Sequence, residues 1–455
     1  MKIIIVGLGQ TGSMLVDELS HDQYDITVID QDRSLVDKMT DKYNVNGIAG
    51  SGASKETLMA AGADTADAII ALTHIDEINL LSCMQAKALG TRRSAARIMS
   101  PDLVNEWESI RDQYKIDFLV KPKADIAETA FHNIGMPGFL KLEGYFGNNI
   151  QLIDMNILPG NAMVGKNLRD LRGLLHLDML VVAAIREGKL IIPDGNFEIK
   201  EGDTLGIVTN KGNIASTLKS LGINVSSGKK IVIVGGGITT GYLLKLLSSP
   251  FRSITVLEKD PARCQELTQM YPQARIVYSG GEILDVLNEE NVTGADTIFS
   301  LTDHDETNLV ISMYAWSSGI PCVITRVDKP EHVKLLHRVN IDITVSMTEI
   351  TVLKMVRFVR NYEMGDARNE IGKFYYIADN KAEIMEFGAT ESFPSLGIKL
   401  SDKNFNLKKD VLITAILRNG EQIIPSGNTS IEAGDRVVIT ASKKNKIRNL
   451  KDILK

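Results

Sequence analysis

KIIIVGLGQTG, residues Lys2–Gly12, is an apolar run of strand length that leads directly into three glycines. A helical pattern of apolar residues begins straight afterwards at Met14. This is the GxGxxG phosphate turn: Gly7 allows the tight turn, Gly9 lets the backbone approach a pyrophosphate, and Gly12 lets helix and strand pack closely. Phosphates at such a turn lie on the helix N-terminus. The stretch therefore predicts a nucleotide-binding α/β unit; the alternative is a glycine-rich turn that only packs.

Two carboxylates follow this turn at the distance expected for ribose recognition. Asp30 ends the next strand-like run, DITVID, about 20 residues after the glycines, and Asp32 lies two residues further on. A carboxylate at this place accepts hydrogen bonds from a ribose diol and repels a ribose 2′-phosphate. Both are candidate cofactor-binding residues, and they predict a preference for NAD, NADH or an adenine nucleotide over NADP.

The chain carries the same pattern twice. DITVIDQD from Asp25 returns as SITVLEKD from Ser253, and ALTHIDEINL from Ala71 returns as SLTDHDETNL from Ser300. The interval between equivalent positions is about 229 residues, half of the 455-residue chain. A repeat of this length is too long for a solenoid unit and long enough for a complete fold. The protein is therefore predicted to consist of two copies of one module in tandem.

The second copy departs from the glycine pattern at one position. IVIVGGGITTG supplies Gly235 and Gly237, but Thr240 stands where the first copy has its third glycine. A side chain there is expected to loosen the packing of helix on strand or to tilt the helix. Because the acid returns as Glu258, a second nucleotide site is predicted; the alternative is a degenerate copy kept for assembly.

Each copy contains a large module and a small one. In the first copy, strand-like runs alternate with helical patterns, which predicts a doubly wound parallel sheet with ligands at the carboxyl ends of its strands. These runs are Lys2–Val6, Asp25–Ile29, Asn44–Ile48, Ala68–Ala71, Ala95–Met99 and Asp117–Val120. The segment LVVAAIREGKLIIPDGNFEIKEGDTLGIVT then predicts hairpins, and LITAILRNGEQIIPSGNTSIEAGDRVVITA repeats it in the second half.

The predicted fold class is α/β: two Rossmann-like doubly wound parallel-sheet domains, each followed by a small α+β domain. We expect domains at residues 1–122, 140–225, 229–348 and 371–455. Val225–Lys230, VSSGKK, is small and polar and is expected to be the hinge between the halves. The end of the chain, SKKNKIRNLKDILK, is expected to form a basic amphipathic helix that packs through Ile447, Leu450 and Leu454.

Composition narrows the partners and the compartment. The formal net charge is −6 and aromatic residues make up 5%, so neither a basic groove nor a stacking platform is indicated, and no nucleic-acid partner is expected. Cys83, Cys264 and Cys322 form no CxxC pair and are expected to be reduced core thiols. Neither a signal peptide nor a bilayer-spanning apolar run of ~20 residues is expected. The prediction is a cytoplasmic protein whose membrane role is peripheral.

Two arginines recur at equivalent strand ends. Arg97 and Arg326 each interrupt an apolar strand, and a guanidinium in a cleft needs an anion; a phosphate suits its planar fork. The alternative is an ion pair with a local carboxylate, such as that of Asp76 or Glu77.

Two threonine–asparagine pairs also recur, where a strand gives way to a helix. Thr73 precedes Asn79 by six residues, and Thr302 precedes Asn308 by the same interval. We expect both pairs to cap the following helix and to lie near the ligand.

Catalytic and metal-binding chemistry is not indicated. The sequence has no GxSxG elbow, no HExxH, no P-loop and no tyrosine followed four residues later by lysine. His74 and His304 come near the predicted clefts, but His74 matches Asp303 in the repeat, so a shared acid–base role is not expected. No group of potential metal ligands has a suitable spacing. We therefore expect no catalytic residue and no metal site.

Taken together, the motifs resemble the TrkA family of Trk potassium uptake systems, which is built from tandem RCK domains. The resemblance rests on MKIIIVGLGQTG, DITVIDQD, AGADTADAIIALTHIDEINLLSC and ARIMSPD, with IVIVGGGITTG and TDHDETN in the second half, and it covers essentially the whole chain. It implies a regulatory subunit docked on a membrane potassium-translocating subunit, peripherally associated with the inner face of the cell membrane. It also implies a homo-oligomer, a dimer or a tetrameric ring.

The resemblance further implies NAD(H) as ligand, with ATP or ADP competing for the same clefts. The nucleotide contacts it implies are Gly7, Gly9, Gln10, Thr11, Gly12, Asp30, Thr73, His74 and Arg97, and in the second half Gly235, Gly237, Glu258, Thr302 and Arg326. The chain departs from the family pattern at Thr240, and at His74 and Asp303 after the threonines. These departures bear on affinity and ligand preference at the second site.

The predicted function is a sensor that binds nucleotides without transforming them. A more negatively charged ligand would draw Arg97, and Arg326 with it, toward the glycine turns and so bias one relative orientation of the large modules. The rival hypothesis is an NAD-dependent dehydrogenase with accessory domains, which requires a proton-transfer side chain facing the nicotinamide. A third hypothesis is a ligand sensor that works without a membrane partner.

Overall fold

The structure is a computed structural model of residues 1–455. It describes all residues except 23, 138–139, 147–149, 176–178, 211–217, 219–222, 224, 249–251, 282, 291, 342, 364–373 and 379–380. The predicted start of the fourth domain, residue 371, therefore lies outside the described residues. Among the helices of the described part, none is long and apolar enough to cross a bilayer.

A six-stranded parallel sheet forms the first large module. Its strand order, β3-β2-β1-β4-β5-β6, switches direction between β1 and β4, which opens a crevice at the carboxyl ends of the strands. Ile3, Ile4 and Ile5 of β1 are each 1% exposed or less, because helices cover both faces of the sheet. The strands are β1 (Lys2–Val6), β2 (Asp25–Asp30), β3 (Asn46–Ala49), β4 (Ala68–Ala71), β5 (Arg93–Arg97) and β6 (Phe118–Val120).

Helices connect these strands, so the predicted doubly wound arrangement is confirmed. They are α1 (Gln10–Ser20), α2 (Arg33–Lys42), α3 (Lys55–Ala60), α4 (Asp76–Leu89), α5 (Pro101–Asn105), α6 (Trp107–Tyr114) and α7 (Pro122–His132). The fifth strand ends two residues earlier than predicted, at Arg97. It ends there because the N–H groups of Met99 and Ser100 donate to the Asp76 carboxylate instead of to a neighbouring strand.

A small antiparallel sheet follows, as the hairpin pattern predicts. Its strand order is β10-β9-β11-β8-β7. At its edge, the Arg186 guanidinium donates two hydrogen bonds of 2.8 and 2.7 Å to the buried Asp203 carboxylate. The elements are β7 (Leu140–Phe146), β8 (Ile150–Asn156), α8 (Leu168–Leu175), β9 (Met179–Arg186), β10 (Lys189–Ile191) and β11 (Thr204–Asn210).

The second half repeats the large module. The parallel sheet has the order β14-β13-β12-β15-β16-β17, the same topology as the first. Its strands are β12 (Lys230–Val234), β13 (Ser253–Glu258), β14 (Ala274–Tyr278), β15 (Thr297–Ser300), β16 (Cys322–Arg326) and β17 (Thr344–Val345). Its helices are α9 (Ile238–Leu246), α10 (Pro261–Met270), α11 (Ile283–Glu289), α12 (Asp305–Ser317), α13 (Pro330–His337) and α14 (Met347–Glu363).

The second small sheet also repeats the first. Its order, β18-β19-β22-β20-β21, is the same topology read from the other edge. The edge ion pair returns as Arg418 with the buried Asp435, again through two hydrogen bonds of 2.8 Å. The strands are β18 (Phe374–Ile377), β19 (Ala382–Gly388), β20 (Val411–Arg418), β21 (Glu421–Ile423) and β22 (Arg436–Ser442).

The two halves exchange their last large-module helix and their small sheet. α7 packs against α9 of the second half, and α14 packs against α1 of the first. One hydrophobic core therefore joins the first parallel sheet to α14 and the second small sheet, and another joins the second parallel sheet to α7 and the first small sheet. Polar contacts follow the same exchange, since Tyr376 and Lys443 both donate to Glu18 of α1. The halves form one folded unit.

The small sheets also pack against each other. Leu152 and Val182 from the first sheet share a buried cluster with Ile384 and Val438 from the second. The backbone N–H of Ala378 donates to the Asp154 carboxylate across this contact, at 2.9 Å. In the described part of the chain, the halves therefore meet where each large module packs on the opposite small sheet and where the two small sheets pack on each other.

The segment expected to be a hinge is anchored. Ser227 and the backbone N–H groups of Lys229 and Lys230 all donate to the Asp296 carboxylate, at 2.7 to 2.9 Å. The backbone N–H of Ser226 donates to the carbonyl of Gly135. Val225–Lys230 joins the two halves as expected, and these bonds tie it to the second parallel sheet. Its role as a hinge stays a prediction.

The prediction of a helix at the end of the chain is wrong. Two short 3-10 turns, Lys443–Asn445 and Leu450–Ile453, stand in its place. Lys446 between them has φ 47°, a left-handed conformation that ends the first turn. Asn449 and Asp452 cap the second turn reciprocally. The apolar residues still pack inward, with Ile447 and Leu450 both buried as predicted.

Candidate nucleotide-binding sites

The three glycines of the first turn meet three different backbone requirements. Gly7 has φ 93°, which a residue with a side chain rarely adopts. A Cβ atom at Gly12 would lie 1.8 Å from the carbonyl oxygen of Gly7, so helix α1 could not approach β1 with any side chain there. A Cβ at Gly9, the N-cap residue of α1, would meet nothing within 4 Å. The turn therefore leaves open space in front of the α1 N-terminus, where phosphates bind.

Asp30 holds the glycine turn in place. Its carboxylate accepts hydrogen bonds from the backbone N–H of Leu8 at 2.6 Å and of Asp32 at 2.9 Å. The Asp32 carboxylate instead caps α2, accepting from the backbone N–H and the hydroxyl of Ser34. These bonds lower the pKa of Asp32. Asp30 lines the cavity beside the turn, whereas Asp32 lies outside its lining.

Asn79 ties β4 to β5 instead of capping a helix. Its side-chain oxygen accepts from the backbone N–H and the hydroxyl of Thr73, at 2.7 and 2.8 Å. Its side-chain nitrogen donates to the carbonyls of Thr73 and Arg97, each at 2.9 Å. The N-cap position of α4 is Ile75, which makes no side-chain cap, so the capping expectation is wrong. Because Asn79 is fully buried, these bonds fix the positions of Thr73 and Arg97.

Arg97 points its guanidinium toward the glycine turn. It donates to the Thr73 carbonyl at 2.9 Å and to the hydroxyl of Thr11, in α1, at 3.3 Å. Its Nε atom is buried and has no hydrogen-bond partner among the described residues. Burial lowers the pKa of Arg97, against the opposing charge of Asp76. The Asp76 carboxylate, however, is occupied by the N–H groups of Met99 and Ser100.

The predicted alternative for Arg97, an ion pair with Asp76 or Glu77, is therefore not formed in the described structure. A guanidinium that is partly desolvated, keeps one N–H unpaired and faces a helix N-terminus is suited to an anion. A phosphate at the glycine turn would satisfy both the arginine and the α1 N-terminus.

These residues line a cavity of about 430 Å³, cleft 1. Gly7, Gly9, Gln10, Thr11, Asp30, Thr73, His74 and Arg97 border it, while Gly12 lies beneath it and outside its lining. The second half also contributes Asp328, Met347 and Thr348. Gln10 donates to the carbonyl oxygen of Asp328 across the boundary, at 3.0 Å. No local sequence pattern indicates this contribution, because it depends on which half α14 packs against.

The second glycine turn accommodates its threonine. Gly235 has φ 102°, and the Thr240 hydroxyl donates to the Gly235 carbonyl at 2.5 Å. Thr240 is completely buried. At the equivalent place in the first half a Cβ would clash at 1.8 Å, so α9 lies in a different position over its turn than α1 does. Gly237, like Gly9, would accept a Cβ without any contact within 4 Å.

Glu258 repeats the role of Asp30. Its carboxylate accepts from the backbone N–H of Gly236 at 2.5 Å and of Asp260 at 2.8 Å, while Asp260 caps α10. Arg263 of α10 donates to the Gly236 carbonyl at 2.7 Å. This arginine was not foreseen, because the equivalent residue of the first half is Leu35.

A cavity of about 780 Å³, cleft 2, lies beside the second turn. Its lining includes Gly235, Gly237, Glu258, Arg263, Thr302 and Asp303. Arg326 lies outside the lining, although Asn308 holds its carbonyl as Asn79 holds that of Arg97.

Arg326 has the local carboxylate partners that Arg97 lacks. Its Nη1 atom lies 2.7 Å from the Asp303 carboxylate, and its Nε atom lies 3.8 Å from that of Asp328. The Arg326 guanidinium is the largest cause of a lowered pKa at Asp303. In the second half only, therefore, an ion pair competes with the predicted phosphate for the arginine guanidinium.

The remaining titratable groups offer little for catalysis or metal binding. Among the described residues, no group of three or more His, Cys, Asp or Glu side chains is arranged to hold a metal ion. Cys83 and Cys322 are buried, which raises the pKa of the Cys322 thiol to about 11 and also raises that of Cys83. Such thiols stay protonated at neutral pH.

Comparison with known proteins identifies the family to which the chain is similar. The model of the TrkA-N domain matches residues 3–116 and 231–347, and the model of the TrkA-C domain matches residues 152–222 and 384–455. Trk system potassium uptake protein TrkA homolog 1 of Methanosarcina mazei is 30% identical over 448 residues, 96% of this chain and 97% of its own length. Trk system potassium uptake protein TrkA of Haemophilus influenzae is 27% identical over 457 residues, covering 100% of this chain and 98% of its own.

Solved structures share the architecture. The RCK domain of GsuK superposes with a TM-score of 0.62 at 16% identity, over 97% of this chain and 92% of that one. The GsuK channel bound to NAD gives a TM-score of 0.61 at 16% identity, over 97% of this chain and 77% of that one. At this identity the likeness shows the tandem RCK fold. Since both domain models match twice in tandem and the archaeal relative aligns over nearly all of its length, this chain belongs to the TrkA family of Trk system potassium uptake proteins.

Proposed function

We propose that this chain is a nucleotide-sensing regulatory subunit of a Trk-type potassium uptake system, and that it binds NAD(H), ATP or ADP. The observation that carries the proposal is the Arg97 guanidinium, which faces an open glycine turn without a carboxylate partner in the described structure. Membership of a family named for potassium uptake supports the physiological role. The GsuK channel of the same fold, bound to NAD, supports the ligand class.

The proposed ligand position follows from the chemistry of cleft 1. Phosphates would lie on the N–H groups at the start of α1, beside Gly9, Gln10 and Thr11, with Arg97 beside them. The adenosine ribose would lie toward Asp30, whose carboxylate disfavours a 2′-phosphate. We assign the two nucleotide sites to the predicted domains 1–122 and 229–348, with the domains 140–225 and 371–455 serving assembly.

The residues that line cleft 1 favour nucleotide binding without catalysis. His74 is exposed to solvent, and both oxygens of the Asp30 carboxylate accept backbone N–H bonds. Neither group is held against a ligand for proton transfer. We therefore propose a regulator in place of a dehydrogenase.

The signal would pass between the halves, because cleft 1 is built from both. A ligand that contacts the α1 N-terminus also meets Thr348 and Met347, at the start of α14, and the Gln10–Asp328 hydrogen bond. Since α14 packs both on α1 and on the second small sheet, a change in the spacing of α1 and α14 would alter the arrangement of the halves. A ligand can do this only if it binds one arrangement more tightly than another.

A membrane potassium-translocating subunit would respond to this change in arrangement. We propose that the chain docks on that subunit at the inner face of the membrane, as a homo-oligomer, a dimer or a tetrameric ring.

The test is potassium flux into vesicles that contain the Trk-type membrane subunit, with and without this chain. ATP, ADP and NADH should change the flux, and Arg97→Ala should weaken nucleotide affinity about 10- to 100-fold, the value of one to two charge-assisted hydrogen bonds. Arg111→Ala, which removes an exposed arginine of α6, serves as the matched control. The proposal fails if Arg97→Ala leaves both affinity and nucleotide-dependent flux unchanged.

A further inference from the structure

The two clefts present their strand-end arginine in different ways. In cleft 1, Arg97 reaches Thr11 in the first turn of α1 and meets no carboxylate in the described structure. In the second half, Arg326 is 11% exposed and is held by the Thr302 carbonyl and the Asp303 carboxylate. The guanidinium that faces the phosphate position in cleft 1 has its counterpart beside cleft 2 paired with the carboxylate of a lining residue, Asp303.

Two sequence differences account for this: Asp328 stands where the first half has Met99, and a carboxylate also follows Thr302. Asp303 follows Thr302, and the equivalent residue after Thr73 is His74. Asp303 is 87% exposed, so its carboxylate lies at the surface of cleft 2 and reaches Arg326 from the side of the solvent. An incoming phosphate would have to approach Arg326 from the same side.

We infer that Asp303 is the specificity-determining residue of cleft 2, where its carboxylate takes the place that a ligand phosphate takes beside Arg97. This rests on the proposed nucleotide-binding function. Cleft 2 then selects against nucleotides with additional phosphates and accepts less charged ones, such as AMP, more readily than ATP.

The selectivity has an electrostatic cause. A phosphate that binds Arg326 must break a charge-assisted hydrogen bond and then lie beside the displaced carboxylate, which repels it. The repulsion grows with the charge of the ligand, from AMP to ADP to ATP. Asp328, 3.8 Å from the Nε atom of Arg326, adds a second negative charge. Two other cations, Lys259 and Arg263, line cleft 2, and Arg263 donates to the Gly236 carbonyl on the Glu258 side of the turn.

The test isolates each cleft in the full chain. Gly9→Asp and Gly237→Asp place a carboxylate in the phosphate position of cleft 1 or cleft 2, and a Cβ at either glycine meets nothing within 4 Å. Each variant is therefore expected to fold, which an unchanged Tm verifies. In the Gly9→Asp chain, AMP, ADP and ATP are titrated by calorimetry with and without Asp303→Asn.

Asp303→Asn should raise the affinity of cleft 2 for ATP about 10-fold or more, for ADP less, and for AMP least. The gain should shrink as salt is added, because the interaction is between charges. An equal change for all three nucleotides, no change, or no nucleotide binding at cleft 2 with either residue overturns the inference.

The reciprocal variant tests the same residue position in cleft 1. His74→Asp in the Gly237→Asp chain should give Arg97 a carboxylate partner and lower ATP affinity more than AMP affinity. The Gly237→Asp chain also separates the two proposals. If cleft 1 binds nucleotides there while Asp303→Asn has no effect on cleft 2, the inference alone fails; if cleft 1 binds none, the proposed function fails as well.

Discussion

The glycines of the GxGxxG motif have different structural roles. Gly12 is required by packing, because a Cβ would lie 1.8 Å from the Gly7 carbonyl oxygen, whereas Gly9 leaves open space for a ligand. Thr240 shows how the second half solves the packing problem, by a hydroxyl that donates to the Gly235 carbonyl. Loss of the third glycine therefore does not by itself remove the cleft beside it.

This difference predicts that alanine substitutions at Gly12 and Gly9 have different effects on stability. Gly12→Ala should lower the free energy of unfolding by about 1–3 kcal/mol, since α1 must move away from β1. Gly9→Ala should leave it nearly unchanged, because its Cβ meets nothing. Thermal unfolding followed by circular dichroism measures both. A Gly12→Ala protein with the parental Tm would contradict the close approach of α1 to the turn.

At the scale of elements, the asparagine in the second turn of α4 and of α12 holds two strand ends together. Asn79 makes four side-chain hydrogen bonds, three with Thr73 and one with the Arg97 carbonyl. Asn308 makes the same four with Thr302 and Arg326, and a fifth with the Ser300 hydroxyl. The sequence showed that the pair repeats but favoured a cap, since threonine and asparagine near a helix start usually act that way. One of these bonds runs to the arginine at the end of the neighbouring strand, and a spacing of six residues could not reveal that partner.

We expect Asn79→Ala to lower both stability and nucleotide affinity. It removes the side-chain partner of the Thr73 N–H and of the Arg97 carbonyl, at about 1–3 kcal/mol for each group left unsatisfied. Asn308→Ala is the matched change in the other half, with the same loss of stability and no effect on cleft 1. Tm and ATP titration distinguish them. Equal ATP affinity in the Asn79→Ala and parental chains would show that the hydrogen bonds of Asn79 do not position Arg97.

The junction between the halves should make stability depend on pH. The backbone N–H of Lys230, then the Ser227 hydroxyl, lower the pKa of Asp296 in the folded chain. A carboxyl whose pKa is lower in the folded state contributes stability above its unfolded pKa, about 3.9, and loses that contribution as the pH falls through the folded pKa.

Asp296→Asn should therefore lower Tm at pH 7, and the difference from the parental chain should shrink below about pH 4. Tm measured from pH 7 to pH 3 in both proteins tests this. A difference that stays constant over that range would mean that the charge of Asp296 does not anchor the junction.

At the scale of the whole molecule, the exchange of α7 and α14 makes the two halves interdependent. Ile126, Ala127 and Ala130 of α7 are completely buried in the core of the second half. Residues 1–228 expressed alone should therefore expose this face, bind a hydrophobic dye and aggregate. Co-expression with residues 229–455 should restore a soluble complex. A monomeric, cooperatively unfolding 1–228 fragment would contradict the exchange.

The sequence predicted the two parallel sheets, both small hairpin sheets and the residues around Arg97, because strand alternation and the glycine motif are local patterns. It could not predict the exchange. A duplicated chain has the same local pattern whether α7 packs on its own sheet or on its copy, so only three-dimensional packing distinguishes them. The contribution of Asp328 and Thr348 to cleft 1 was missed because it depends on contacts between segments far apart in sequence. The ion pair with a local carboxylate, offered from the sequence as the alternative for the two arginines, forms at Arg326 with Asp303.

The proposed sensor requires two nucleotide clefts, each at a glycine turn. Its most direct test is calorimetric titration of ATP and NADH into the full chain and into the Gly9→Asp, Gly237→Asp double variant. We predict that the parental chain binds nucleotide and that the double variant, with the parental Tm, binds none. A double variant that binds ATP and NADH as the parental chain does would contradict the assignment of the clefts.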